Sequence, residues 1–324
     1  MIAWLIRRLL QALVIVLLMT FIVFMGLHAI GNPVDILISP DADQRDKAML
    51  IAQMGLDQPL WKQYLLFLQS AIHGDLGKSF VYNEPAINLV LQRFPATLEL
   101  AFAALIIAII IGVPLGLVSG LYPNSLFANT VMTGSILGVS LPTFWVGLML
   151  ITAFSVHLGW LPASGRGQTV EILGLQWSWL TLDGLSHLLL PALNLALFKV
   201  ALVIRLTYAG VREVVPMDFI KFARAKGLSN ARIMFAHVLR NILIPLTTVL
   251  GLELGSTIAG AVVTESIFSW PGAGKLILDS INGLDRPVIL AYLVVVVCVF
   301  VTINLLVDIA YRLLDPRVRL EKSV

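Results

Sequence analysis

Charged residues are scarce in this 324-residue sequence, and their scarcity excludes most classes of soluble protein. Only 13% of the residues are Asp, Glu, Lys or Arg, whereas 58% are hydrophobic and the mean hydropathy is +0.92. A typical soluble domain carries roughly 25% charged residues, so this chain has too little charge to cover a surface that faces water. The sequence therefore predicts a polytopic membrane protein.

Catalytic and metal-binding patterns are also missing from the sequence. The single cysteine, Cys298, excludes an intrachain disulfide and a cysteine metal cluster, and the five histidines are dispersed. The segment Gly272-Ala-Gly-Lys275 approaches the end of a phosphate-binding loop, but Ser269 stands where that loop needs its first glycine and Leu276 follows the lysine. We therefore expect that this chain is not an enzyme and binds no cofactor itself.

Long apolar runs are what the sequence does contain. A membrane-spanning helix needs about 20 predominantly apolar residues, and six segments meet this requirement. Their continuous rather than alternating apolar character excludes a membrane β-barrel. The predicted spans are residues 9–30, 99–121, 131–156, 188–208, 246–267 and 288–312. The predicted fold class is an all-α polytopic membrane protein with six transmembrane helices.

Basic residues set the expected orientation. Arg7 and Arg8 precede the first span, whose apolar run is too long for the core of a cleaved signal peptide. Because Lys and Arg accumulate on the cytoplasmic side of membrane proteins, an internal N-terminus places the basic segment 209–245 and the tail 313–324 in the cytoplasm too. Both termini are thus predicted to be cytoplasmic. This distribution explains the net charge of +3 without nucleic acid.

The chain divides into an N-terminus with the first span, a long outside segment, a core with five helices, and a tail. These four segments are residues 1–31, 32–97, 98–312 and 313–324. The outside segment has helical spacing at 48–54 and 61–71, and Pro59 is placed to begin the second helix. We therefore expect a small folded extracytoplasmic element after the first span.

Charged residues inside the predicted spans are candidates for function, because a charge at bilayer depth costs at least ~2.5 kcal/mol on insertion scales. Lys199 and Glu253 lie in the fourth and fifth spans, and they either pair within the bundle or line a route for solute. Asp308 precedes Arg312 by one turn, so an ion pair explains it sufficiently.

The segment between residues 205 and 240 is strongly basic, with Glu213 and Asp218 against seven Lys or Arg residues. Apolar residues recur among the basic ones at near-helical spacing; Gly227 breaks the pattern and Ser229 is suited to cap a following helix. Two short amphipathic helices are predicted. They either lie on anionic lipid or dock into a groove of a partner protein.

The residues of this segment resemble the coupling loop of type I ABC importer permeases, and more narrowly of the dipeptide/oligopeptide/nickel group. The resemblance covers nearly the whole chain. It is carried by 55–59, 74–77, 95–99, 140–145, 159–162, 223–228, 237–245, 268–272, 304–308 and 315–317. One departure is that Lys221-Phe222-Ala223 stands where the general importer signature has Glu-Ala-Ala, so the contact of that acidic residue is not implied here.

The resemblance implies a type I ABC importer transmembrane domain in the bacterial inner membrane. It implies a second homologous permease, two cytoplasmic ATPases that bind ATP and Mg, and an extracytoplasmic solute-binding protein. The expected solute is a peptide, with a nickel chelate or another small conjugate as the alternative. The residues implied to contact an ATPase, with Phe219 and Phe222 as anchors, are Asp218, Phe219, Phe222, Ala223, Arg224, Ala225, Lys226, Gly227 and Leu228.

A stand-alone secondary transporter is a less favoured reading of the same spans. In that reading Lys199 and Glu253 would lie on the path of the ion or solute, and they remain candidates for a translocation path in either class. Secondary transporters are built from internal repeats with paired broken helices, and we find no convincing repeat in the sequence.

Overall fold

The structure, a computed structural model, describes residues 2–29, 57–172 and 174–314. The helices are α1 (Ile2–Ala29), α2 (Leu60–Ile72), α3 (Ala86–Leu121), α4 (Leu126–Ser140), α5 (Thr143–Leu150), α6 (Leu182–Val214), α7 (Asp218–Ala225), α8 (Asn230–Arg232), α9 (Leu239–Ile267), α10 (Ala273–Asn282) and α11 (Arg286–Leu314). The described residues form two compact units, one within 1–95 and 271–301 and the other within 96–270 and 302–324. The helix predicted at 48–54 and the tail from residue 315 lie outside the described residues.

Among the described residues, five helices are long and apolar enough to cross a membrane, and the pair α4 and α5 passes the same test together. The chain bends by 104° between these two helices. Five of the six predicted spans are therefore observed as single helices, and the third, at 131–156, is wrong as a single helix. The helix ends before Pro142 because Leu141 has a φ of −84° and a ψ of 135°, the extended conformation that a residue before proline favours. Accordingly α4 ends at Ser140 and α5 begins at Thr143.

Two π-helical segments extend helices of the second unit. One, Ile151–His157, continues α5, and the other, Ile233–Val238, joins α8 to α9 without a break. A π-helical turn accommodates an extra residue within a helix and is frequent at functional sites. The chain is consequently helical from Asn230 through Ile267.

In the first unit, α2 packs along α1 through Tyr64. The Tyr64 hydroxyl donates to the Leu17 carbonyl oxygen at 2.9 Å and lies 3.0 Å from Thr20 Oγ1. The helix predicted at 61–71 is thus observed as α2, directly after Pro59. Leu17 and Thr20 lie within the apolar span of α1, Ile6–Gly26, so α2 packs against that span and not beyond its end.

Helix α2 ends at a glycine in the left-handed conformation. Gly74 has a φ of 79°, and its N–H donates to the Ala71 carbonyl oxygen at 3.0 Å. The N–H of Asp75 donates to the Ser70 carbonyl oxygen, also at 3.0 Å. These two bonds form a Schellman motif, which satisfies carbonyl groups at the end of a helix.

In the second unit, α3 and α6 approach closely through a stripe of three glycines on α3. A methyl group added at these positions would lie 2.6–2.7 Å from the nearest atoms of α6, so no larger residue fits without a shift. The glycines are Gly112, Gly116 and Gly120. Small residues at this spacing allow the backbones of two transmembrane helices to come close together.

A short antiparallel hairpin interrupts the helical second unit between α5 and α6. Strand β1 (Val170–Ile172) pairs with β2 (Leu175–Trp177), and Glu171 lies opposite Gln176. The predicted helical membrane fold is confirmed, and the hairpin is an addition to it. Strands of three residues are too short for the alternation of apolar and polar residues to be recognised in a sequence.

Candidate functional site

The basic segment contains α7, which is held to the rest of the second unit by one apolar face. Ile220 and Ala223 are buried in a cluster with Val211, Val238 and Ile242. This burial fixes α7 against α6 and against the helical segment that leads into α9. Because the two buried residues lie on one side, the other sides of α7 are left exposed.

The two phenylalanines of α7 project outward. Phe219 is 41% exposed and Phe222 is 62% exposed. Within this chain, Ile220 and Ala223 hold α7 in place. Any anchoring by the phenylalanines must involve a molecule outside the chain.

Charged side chains surround the exposed phenylalanines without closing over them. Lys221 Nζ lies 2.8 Å from Asp218 Oδ1, and both side chains are largely exposed. Lys226 Nζ lies 4.6 Å from the centre of the Phe222 ring. Exposed ion pairs and cation–π contacts each contribute only about 0–1 kcal/mol, so a partner can displace these contacts at little cost.

The end of α7 is set by Gly227, which has a φ of 77°. Its N–H donates to the Arg224 carbonyl oxygen at 2.9 Å, and the Leu228 N–H donates to the Ala223 carbonyl oxygen at 3.3 Å. These two bonds form the same Schellman motif that ends α2, and glycine adopts the left-handed conformation without a steric penalty. Ser229 then accepts a bond from the Arg232 N–H, which confirms the predicted helix cap.

The two candidate path residues meet in the interior of the spans. Lys199 on α6 forms an ion pair with Glu253 on α9, and Lys199 Nζ also donates to Ser256 Oγ at 3.1 Å. Ser256 Oγ donates to Glu253 Oε2 at 2.9 Å. The Lys199 and Glu253 side chains remain 16% and 28% exposed. We call these three side chains the mid-span triad; the pairing of Lys199 with Glu253 was one of the two predicted alternatives, and Ser256 was not part of it.

A buried ion pair between Glu99 and Arg166 lies at the start of the second unit. No role was predicted for either residue. The Glu99 carboxylate is fully buried and accepts bonds from Arg166 Nε at 3.1 Å and Nη2 at 2.7 Å. Its other oxygen accepts from the backbone N–H groups of Ser178 at 2.6 Å and Trp179 at 2.9 Å. These bonds fix the segment with the hairpin onto α3.

The same region is tied to the end of α9. Trp270 is fully buried, and its Nε1–H donates to the Ala96 carbonyl oxygen at 2.9 Å. Thr97 Oγ1 donates to Glu265 Oε1 at 2.6 Å. The Arg166 guanidinium lies 5.8 Å from the centre of the Trp270 ring. We call Glu99, Arg166, Thr97, Glu265 and Trp270 the buried carboxylate cluster.

Comparison with known proteins finds relatives over nearly the whole chain. Residues 112–320 match the family described as binding-protein-dependent transport system inner membrane component. Residues 1–101 match the family that describes the N-terminal part of such membrane components. Together the two matches leave residues 102–111, within α3, and the last residues, 321–324, uncovered.

Curated relatives match this chain along nearly their full length. The di/tripeptide transport system permease protein DppB of Pseudomonas aeruginosa is 41% identical over 89% of this chain and 90% of its own length. The dipeptide transport system permease protein DppB of Escherichia coli K12 is 36% identical over 99% and 100%. The glutathione transport system permease protein GsiC of Escherichia coli O6:H1 is 34% identical over 98% and 99%.

A solved structure shares the fold. The inward-facing MetNI methionine ABC transporter matches 72% of this chain and 99% of its own matched chain, with a TM-score of 0.58. The two sequences are 18% identical over the match. The likeness therefore describes the arrangement of helices and not the solute.

Proposed function

Because this chain belongs to the family of binding-protein-dependent transport system inner membrane components, we propose that it is the permease subunit of an ATP-driven importer of short peptides. The observation that carries the proposal is its similarity along the full length to permeases named for dipeptides, tripeptides and oligopeptides. Those names favour a peptide over a nickel chelate. The subunit is a non-catalytic, multi-pass component of the inner membrane.

The proposed complex contains partners on both sides of the membrane. A second homologous permease completes the path, two cytoplasmic ATPases bind ATP and Mg, and an extracytoplasmic binding protein delivers the peptide. ATP can drive the permeases only through its different affinity for two arrangements of the complex. A surface that transmits this difference must therefore connect the permease to an ATPase.

The exposed face of α7 is the proposed surface for this contact. An amphipathic helix commonly binds a partner by placing apolar side chains in a groove. Phe219 and Phe222 suit that role, because they project outward while Ile220 and Ala223 hold the helix from behind. The proposed contact residues are Asp218, Phe219, Phe222, Arg224, Ala225, Lys226, Gly227 and Leu228; Ala223, which was also predicted, is buried beneath them.

Both termini are proposed to lie in the cytoplasm. This orientation depends on whether the bent pair of helices α4 and α5 crosses the membrane. If the pair crosses the membrane once, the N-terminus and the basic segment 209–245 lie on the same side. If the pair instead returns to the side from which it came, the basic segment lies on the opposite side from Arg7 and Arg8. The excess of Lys and Arg in cytoplasmic loops favours a single crossing.

The mid-span triad is the proposed part of the translocation path. A charge that faces lipid at bilayer depth is expensive, so charged residues in spans face the bundle interior or a water-filled cavity. Lys199 and Glu253 remain partly exposed in the single chain. Their placement suits a path that is completed by the second permease.

The test is the substitution Gly227→Pro in the complex reconstituted in liposomes with its partners. Proline cannot adopt the φ of 77° and cannot donate the bond to the Arg224 carbonyl oxygen. We expect the complex to assemble and hydrolyse ATP while peptide uptake per ATP falls at least about tenfold. The measurement compares radiolabelled peptide uptake with phosphate release.

Gly74→Pro is the matched control, because Gly74 has the same Schellman geometry, and an added Cβ would meet nothing within 4 Å at either glycine. This control should couple uptake to hydrolysis as the wild type does. Unimpaired uptake by Gly227→Pro would contradict the assignment of α7 to the ATPase contact. Failure of the wild-type complex to take up any peptide would contradict the peptide importer itself.

A further inference from the structure

The mid-span triad has hydrogen-bonding capacity that the described residues do not use. Glu253 accepts bonds from Lys199 and Ser256, and both go to Oε2. Within the described part of the chain, Glu253 Oε1 therefore has no hydrogen-bond partner. A lysine ammonium has three donor hydrogens, and Lys199 uses two of them, toward Glu253 and Ser256. An available acceptor and an available donor thus lie side by side.

Space is also present beside the triad. Ser256, Ala259 and Gly260 lie on one face of α9, and all three are exposed in the single chain. A methyl group added at Gly260 would meet no atom within 4 Å. Small side chains on this face leave room for a molecule next to Lys199 and Glu253.

The triad differs from a structural ion pair in what holds it. Glu99 is fixed by two backbone N–H groups and by the guanidinium of Arg166. Among the described residues, the Glu253 carboxylate accepts bonds from side chains only, and Lys199 reaches it through a flexible four-carbon stem. Opening the Lys199–Glu253 pair therefore requires changes of side-chain rotamer and no movement of the backbone.

An unblocked peptide carries the two groups that can take over these bonds. Its carboxylate can accept from the Lys199 ammonium and the Ser256 hydroxyl, and its ammonium can donate to the Glu253 carboxylate. The ends of a dipeptide are at most about 7 Å apart, because an extended chain spans about 3.3–3.6 Å per residue. Lys and Glu side chains can separate by this distance, whereas a longer peptide in the extended conformation cannot place both of its ends there.

We propose that the mid-span triad is a binding site for the two charged ends of short, unblocked peptides. In this site the peptide carboxylate replaces Glu253 on Lys199 and Ser256, and the peptide ammonium replaces Lys199 on Glu253. Every charge is then paired both when the site is empty and when it is loaded, which matters where an unpaired charge is expensive. The inference rests on the proposed function as a peptide importer and adds the part of the peptide that is recognised.

The experiment measures peptide binding to the purified complex of permeases and ATPases without the solute-binding protein, so that only the path is probed. Radiolabelled glycyl-leucine, its N-acetyl form and its C-terminal amide are compared by equilibrium dialysis. Because charge-assisted hydrogen bonds are the strong ones, each blocked form should bind the wild type at least about tenfold more weakly than the free dipeptide. This comparison needs no variant.

The variant is Lys199→Met combined with Glu253→Gln, which removes both charges and leaves neither one unpaired. The double variant should bind the free dipeptide about tenfold or more weakly and should no longer prefer it to the blocked forms. The control is Lys275→Met combined with Asp279→Asn, which removes a pair of groups 3.9 Å apart on α10. The control should keep the preference of the wild type.

Three results would overturn the inference: no dipeptide binding by the wild type, equal binding of free and blocked forms by the wild type, or an unchanged preference in the double variant. Uptake of peptide by the reconstituted wild type with its binding protein is measured in parallel. Uptake together with any of the three results leaves the importer assignment intact and removes only the triad as the site. Absence of uptake contradicts the importer assignment.

Discussion

Two ion pairs of the second unit have nearly the same length and opposite roles. The closest atoms lie 2.7 Å apart in Arg166–Glu99 and 2.8 Å apart in Lys221–Asp218. The side chains of the first pair are 12% and 0% exposed, and those of the second are 67% and 95% exposed. Burial and not distance decides what each pair does, because water screens the exposed pair and is excluded from the buried one.

The regions around these pairs differ in the same way. In the buried carboxylate cluster, hydrogen bonds from Arg166 and two backbone N–H groups satisfy the Glu99 charge from within the chain. Around α7, basic side chains and the exposed Phe222 face outward. The first region is closed by contacts within the chain, and the second leaves apolar and charged side chains exposed. Substitutions in the buried carboxylate cluster and on α7 should therefore affect different properties of the protein.

The largest effect is expected from Glu99→Gln. The substitution keeps the shape of the side chain but removes the charge that compensates Arg166, and breaking a buried pair by removing one partner costs about 3–5 kcal/mol. Thermal unfolding of the purified protein in detergent should show this loss. Glu171→Gln, in the exposed strand β1, is the control and should change stability by no more than ~0.5 kcal/mol. If the two variants lose the same stability, the buried and the exposed carboxylate do not differ in their contribution to the fold, which would contradict the comparison.

An intermediate effect is expected from Phe222→Ala, and it should concern association and not folding. Phe222 is exposed in this chain, so its removal leaves no cavity. An aromatic anchor in an interface contributes about 2 kcal/mol or more, which corresponds to roughly thirtyfold weaker binding of the ATPase subunits. Co-purification at graded ATPase concentrations measures the change.

Phe127→Ala is the control for this experiment, because Phe127 is also exposed and lies in the first turn of α4, on the side proposed to be cytoplasmic. Its removal should leave ATPase binding as it is in the wild type. A loss of thermal stability in Phe222→Ala, with unchanged ATPase binding, would show that Phe222 belongs to the fold and would contradict the docking surface.

The smallest effect is expected from Lys221→Ala. Its pair with Asp218 is exposed and spans one helical turn, and such pairs contribute no more than ~0.5 kcal/mol to stability. A double-mutant cycle with Asp218→Ala in thermal unfolding gives the coupling energy directly. A coupling above ~1 kcal/mol would mean that this pair is structural, as the Arg166–Glu99 pair is.

The sequence was sufficient for the features that depend on local composition. Apolar runs of adequate length located the spans, because only a helix can satisfy its own backbone in lipid. Near-helical spacing, Gly227 and Ser229 located the two short helices of the basic segment. Lys199 and Glu253 were also found as candidates, because charges within spans are rare and conspicuous.

Features that depend on distant partners were missed. Glu99 and Arg166 are 67 residues apart in the sequence, and no local pattern connects them. The bend between α4 and α5 had a local signal in Pro142, which an apolar run alone conceals. The glycine stripe of α3 also had a signal, the repeat of glycine every four residues, but its partner surface on α6 became evident only from the packing.

The unbroken helix from Asn230 to Ile267 has a mechanical consequence, because it contains Pro245 between the basic segment and Glu253. With a rise of 1.5 Å per residue, the arm from Pro245 to Asn230 is about 22 Å long and the arm to Glu253 is about 12 Å long. A pivot at the proline turns a 2 Å push at the longer arm into an opposite shift of about 1 Å at Glu253. A shift of that size would stretch a hydrogen bond of the triad beyond its normal length, so a rotation of the helix about Pro245 would change the contacts of Glu253.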